Sequence, residues 1–294
     1  MKRGDVSRRQ FMLGTAATGL ISSRVVRAQR SDLTALRVVD RIQANVGVPW
    51  RDTTIDGFKA GDPATSVTGV ATTVMATMDV LRRAAAAGQN LVITQEPTFY
   101  SANDEPGNRA ADPVYLAKKA FIDQQRLVVW RFSDHWSARQ PNESASALAA
   151  TLGWGGNRLP DAEQIYQLPE TTLGEMVAHV RSRLNMRGGL RLVGQPAMRV
   201  RTVFVSPGTT AVPSTVLNLR RADVVLAGEP REWEVVPYTL DTWSADRGKA
   251  LIALGRVISE APGMQACAVW IKSIVPEVPV EAIPGADPYW SPSA

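Results

Sequence analysis

The run Leu91-Val92-Ile93-Thr94 limits the possible folds of this chain more than any other stretch. It has no polar alternation, which is the pattern of a strand covered on both faces in an α/β domain. Upstream, Val74, Met75, Met78, Leu81 and Ala85 recur at helical spacing, and Gly88 with Asn90 closes that helix. Residues 67–101 therefore read as helix, tight turn, strand and polar elbow. The elbow is Gln95-Glu96-Pro97, just past the carboxyl end of the strand, where open α/β sheets place their ligands. A carboxylate at that position is a site candidate on geometry alone.

The formal net charge of +5 and the isoelectric point near 9.6 suggest nucleic acid, but the distribution of charge removes that reading. Six basic residues and one acid fall in residues 1–28, leaving 27 of the 33 bases and 27 of the 28 acids in the remainder, which is neutral. No basic footprint for a phosphate backbone is present, so no nucleic-acid partner is expected. The N-terminus reads as an export signal instead. Ser7-Arg8-Arg9-Gln10-Phe11-Met12 matches the twin-arginine pattern, a modest apolar stretch follows, and Val26-Arg27-Ala28 is a small-residue cleavage site. The expected address is periplasmic or otherwise extracytoplasmic, with the twin-arginine translocase as a partner during export. Cys267 is the single cysteine, so no intrachain disulfide framework exists. Ala266-Cys267-Ala268-Val269-Trp270 reads as a strand with the thiol buried.

Along the mature chain, the spacing predicts a helix over 33–42, capped by Ser31 or Asp32, and then a polar loop over 49–64. Asp112-Pro113 starts a helix that runs to about residue 125. A second buried strand follows over 127–132, then Ser133-Asp134-His135-Trp136-Ser137, and a helix over 144–152. Thr172-Leu173-Gly174-Glu175 is a capping box. Strands are expected over 190–193, 200–205 and 223–227, a long helix over 245–260, and a proline-rich tail wrapped on the surface. There is also an internal echo: Asn90 to Pro97 and Asp223 to Pro230 each hold a strand with a Glu-Pro exit at the same spacing.

Several segments resemble the Nif-three-like family, the dinuclear metal-centre hexameric proteins also labelled type 2 homologues of GTP cyclohydrolase I. They are ATTVMATMDVLRRAAAAGQNLVITQEPTFY, VVWRFSDHWSARQP, DVVLAGEPREWE, ALGRVISEAPGMQACAVW and PEVPVEAIPGADPYW, and they match the exported branch in particular. The resemblance implies an α/β fold of two similar lobes facing a central cleft. The first lobe would take residues 29–158, completed by part of 245–294, and the second 159–244. It also implies a hexamer of this chain and two divalent metals in the cleft.

The resemblance puts the metal positions at Gln95, Glu96, Ser133, Ser137, Arg256 and Glu260, the last two one helical turn apart. Gln95, Ser133 and Ser137 offer only weak neutral oxygens, and Arg256 has no lone pair to give. A guanidinium about 4 Å from a divalent ion would repel it by several kcal/mol even at an effective dielectric of ~20. The site therefore reads as degenerate and without a cofactor, with Arg256 as the counter-charge held by Glu96 and Glu260. Two alternatives stand beside this reading: a simply solvated cleft, and an oxygen-only set of Glu96, Asp134, Glu260, Gln95, Ser133 and Ser137 for calcium or magnesium. His135, with Asp134 beside it, is the candidate for any surviving catalysis, and His179 reads as a surface histidine. Trp50, Tyr100, Trp136, Trp233 and Trp243 flank the cleft segments as lining or as packing. Two functions follow: a binding or structural protein for an unidentified small molecule, or a metal-dependent hydrolase.

Overall fold

In the computed structural model, residues 33–291 are described, and the twin-arginine segment lies outside them. The strands are β1 (Gly57–Ala60), β2 (Val70–Thr73), β3 (Leu91–Thr94), β4 (Val128–Arg131), β5 (Ile165–Thr172), β6 (Arg191–Val193), β7 (Arg199–Thr210), β8 (Val224–Pro230), β9 (Ala250–Ala253) and β10 (Val280–Ala282). The helices are α1 (Ala35–Asn45), α2 (Met78–Ala86), α3 (Pro113–Gln124), α4 (Asp134–Ser137), α5 (Glu143–Thr151), α6 (Leu173–Arg183), α7 (Val212–Leu219), α8 (Glu232–Ser244) and α9 (Arg256–Ile274).

Two five-stranded sheets form, in the orders β1-β4-β3-β2-β10 and β5-β7-β8-β9-β6. In the first sheet β10, β2, β3 and β4 are parallel, and β1 closes one edge antiparallel. In the second, β7, β8 and β9 are parallel between antiparallel edges. The inner strands β2, β3, β4 and β9 are buried at every residue, as the unalternated runs require. Register makes the carboxyl ends flush. Thr73, Thr94 and Arg131 lie level in one sheet, and Ser206, Ala227 and Ala253 in the other.

α9 is the longest helix among the described residues and joins the two sheets. Its N-terminal half packs on β7 and β8, while Met264, Cys267, Ala268 and Ile271 enter the core built on β2, β3 and β4. This corrects the expected order at the C-terminus, where strand and helix are exchanged: residues 250–253 are strand and 256–274 are helix. Buried Val257, Glu260, Met264, Cys267 and Ile271 follow the three-four spacing of a helix, which outweighs the strand-like composition of residues 266–270. Cys267 is fully buried, in a helix and not a strand, and burial pushes its thiol pKa up.

Other expectations are also corrected. Residues 70–73 are a strand, so Val74 and Met75 precede the helix and α2 starts only after Thr77, whose hydroxyl caps it. The expected loop over 49–64 contains β1, half-buried at each residue and hence without a period-two signal. β5 and α8 have no counterpart among the expected elements, since each carries an internal proline, Pro169 and Pro237. α1 is capped by Thr34 in place of Ser31 or Asp32. The tail adds β10 to the first sheet, pairing Val280 with Val70. The capping box at Thr172 and the Asp112-Pro113 start are found as expected.

Candidate functional site

The exits of β3, β4 and β9 deliver their next residues to one polar cavity of about 250 Å³. Gln95, Glu96, Ser133, Ser137, Arg256 and Glu260, the six positions expected from the sequence, all line it. The β3 elbow is fixed by backbone bonds, from Gln95 N–H to Thr73 O (3.0 Å) and from Glu96 N–H to Val74 O (2.8 Å). Gly255, with φ of +87°, turns the chain from β9 into α9, so that Arg256 is the first helical residue.

Arg256 is the centre of the arrangement. Its Nη1 lies 2.7 Å from Glu96 Oε1, its Nε lies 2.7 Å from Glu229 Oε2, and its Nη2 donates to Thr209 Oγ1. Burial of the guanidinium works against its charge, yet Glu96, Glu260 and Glu229 outweigh it and raise the pKa further. The expected pairing is thus half corrected. Glu96 does hold Arg256, but the second ion pair comes from Glu229 and not from Glu260. The signal for Glu229 was in the sequence: it is the glutamate of the second Glu-Pro exit in the internal echo. Its reach explains the change. Glu229 leaves β8, the neighbour of β9 in the sheet, and so arrives beside the start of α9.

Glu260, one turn further along α9, is only 6% exposed, and its Oε2 has no hydrogen-bond partner. Burial and the neighbouring Glu96 carboxylate push its pKa up to about 8, against the opposing pull of Arg256. Gly208 makes this packing possible. Its φ is +69°, and a Cβ there would sit 2.5 Å from Glu260 Oε1. Gln95 is also buried; its Nε2 donates to Ser137 Oγ at 3.2 Å, and its Oε1 is unpartnered.

Asp134 and His135, the catalytic candidates, lie beside this cavity and do not line it. His135 is 1% exposed and stacks on Trp50 at 3.6 Å between ring centroids. Its Nδ1 bonds Asp56 Oδ2 at 2.7 Å, and its Nε2 accepts from Arg51 N–H at 3.0 Å, so both ring nitrogens are engaged. Asp56 also accepts the amides of Ser133, Asp134 and His135. Asp134 receives the Thr54 hydroxyl and Ile55 N–H and pairs with Arg51. Although burial works the other way, these partners hold its carboxyl below the usual range. The pair therefore fastens residues 50–56 onto α4, a structural task. His179 is exposed, as expected; it stacks on Trp154 and its Nε2 donates to Leu152 O at 2.8 Å. None of Trp50, Tyr100, Trp136, Trp233 and Trp243 lines the cavity.

The donor set does not fit the family-type metal pair. Glu96 is bound to a guanidinium, the neutral oxygens are weak donors, and both histidines of the sequence are engaged elsewhere. Among the described residues no three His, Cys, Asp or Glu side chains gather as a ligand set.

Fold and site together define a class: a two-sheet α/β protein whose parallel-strand exits supply a polar cavity built around an arginine. The chain belongs to the Duf34/NIF3 (NGG1p interacting factor 3) family, whose profile matches residues 50–287. Among solved structures it is similar to the Staphylococcus aureus hypothetical protein SA1388, with a TM-score of 0.70 and 18% identity over 88% of this chain and 99% of that one. A Bacillus cereus protein related to NIF3 gives 0.70 and 14% over 89% and 100%. Reduced HcgD from Methanocaldococcus jannaschii gives 0.56 and 12% over 85% and 97%. At these identities the likeness concerns the fold alone. Comparison with curated proteins gave no match.

Proposed function

We propose that this chain is an exported, metal-free member of the family that acts as a binding or structural protein. In this reading an arginine–carboxylate cluster stands where the resemblance implies a dinuclear centre. The observation that carries it is the placement of Arg256, 2.7 Å from both Glu96 and Glu229 and lining the cavity formed by all six positions. A fixed internal cation supplies the charge balance that ions would otherwise provide, without any protonation change or exchange with solvent. The residues left around it are neutral hydrogen-bonding groups, suited to holding a small polar molecule and not to activating water.

The metal-dependent hydrolase is the second reading, and the unpartnered, buried Glu260 Oε2 is the observation in its favour. It requires Arg256 to leave Glu96. Zinc titration of the unmodified chain beside a Gln95→His, Ser133→His, Arg256→His triple variant separates the two. The metal-free reading expects binding only in the variant, whereas stoichiometric binding by the unmodified chain supports the hydrolase. Export through the twin-arginine pathway belongs to the same proposal and rests on Arg8 and Arg9. Replacing both by Lys should leave the precursor in the cytoplasm on fractionation. Self-association is also part of the proposal, supported by the exposed apolar residues Trp233, Leu217 and Leu240 on α7 and α8. Light scattering of the mature chain reads it directly.

A further inference from the structure

A second cavity, of about 540 Å³, opens on the other side of the β3 exit. Met75, Met78, Glu96, Thr98, Tyr100 and Lys118 are among its walls. Lys118, on α3, is only 3% exposed, which is rare for a lysine. Its Nζ donates to Thr98 O at 2.5 Å and lies 4.9 Å from the centroid of the Tyr100 ring. No carboxylate among the described residues forms an ion pair with it; Asp104 acts on it only from a distance. Thr98 is fully buried, and its Oγ1 has no hydrogen-bond partner. Tyr100, half exposed over the amine, is held at φ of +64°, a left-handed conformation that an aromatic residue seldom adopts.

We propose that Lys118 is a nucleophilic amine that captures small apolar aldehydes in this cavity as a reversible imine. This goes beyond the metal-free reading and does not depend on it. The lone pair of neutral Nζ adds to the carbonyl carbon, forming the C–N bond as the C=O π bond opens, and one of the two Nζ protons passes to the carbonyl oxygen. The carbinolamine then loses its hydroxyl together with the one proton left on nitrogen as water, leaving the C=N bond. One water is released and no oxidant or reductant is consumed. The unpartnered Thr98 hydroxyl is free to bond the carbinolamine oxygen, and Met75, Met78 and the Tyr100 ring match an apolar body. Burial, only partly offset by Asp104, lowers the Lys118 pKa to about 8, so roughly a tenth of the amine is neutral near pH 7.

The test uses the mature chain with benzaldehyde at limiting concentration and cyanoborohydride at pH 7.5, followed by peptide mass mapping. Lys118 is expected to carry at least tenfold more reduced adduct than Lys119, its half-exposed neighbour on α3. A Thr98→Val variant should lower the Lys118 adduct severalfold without changing that on Lys119. Adduct spread over Lys119, Lys249 and Lys272 with Lys118 unmodified overturns the proposal, as does the absence of adduct at every lysine. Either result would leave Lys118 as a packing residue that holds the 97–104 loop.

Discussion

Arg256 stands at the N-terminal end of α9, where free amides favour anions and disfavour cations. Glu96 and Glu229 offset that local preference by pairing with the guanidinium directly. Removing the guanidinium leaves Glu96, Glu229 and Glu260 facing each other without compensation. Arg256→Met is therefore expected to cost on the order of 2–3 kcal/mol in chemical denaturation. Glu229→Gln should cost less than about 1 kcal/mol, because that carboxylate is more than half exposed. Glu260 predicts a pH effect of definite sign. Its folded pKa of about 8 lies above the ordinary 4.5, so the native state holds a proton that the unfolded chain has released. Stability should fall as pH rises from about 4.5 through 8, with a slope of up to about 1.4 kcal/mol per pH unit. In Glu260→Gln that slope should be absent, as denaturation midpoints at pH 5, 6.5 and 8 would read. An unchanged slope would assign the effect to another group.

At the scale of elements, the legible parts were those whose signal is local. The β3 run, the Asp112-Pro113 start and the Thr172 capping box each depend on a few adjacent residues. Thr172→Ala should accordingly cost about 1 kcal/mol, measured by thermal or chemical unfolding. What sequence reasoning lost were elements defined by distant partners. β1 and β5 are edge strands whose pairing comes from β4 and β7, and β10 joins β2 from more than two hundred residues away. The exchange of strand and helix around Arg256 arises because the short apolar run 250–253 does not differ in periodicity from a buried helix segment and residues 266–270 carry strand-like types. The site fared better than the elements holding it. All six positions converge, while Glu229 was visible only as half of an echo. Gly208 belongs to the same close approach, at the register shift in β7. Gly208→Ala should destabilise the chain and displace Glu260, so a flattened pH profile of stability should accompany the loss.

Across the whole molecule, α9 links the sheets: its first two turns supply Arg256 and Glu260, and its later turns enter the core of the first sheet. The cluster spans the same division, because Glu96 belongs to the first sheet's exits and Glu229 to the second's. An ion pair that bridges two sheets and one helix makes the cavity part of the fold's own stability. Metal loading would have to displace it and not merely fill a vacant space. A crystal of the mature chain soaked in excess zinc, measured at the zinc absorption edge, tests this most directly. The account predicts no anomalous peak in the cavity and the Arg256 guanidinium still bound to Glu96 and Glu229. A peak coordinated by Glu96 and Glu260, with Arg256 swung away, would contradict it.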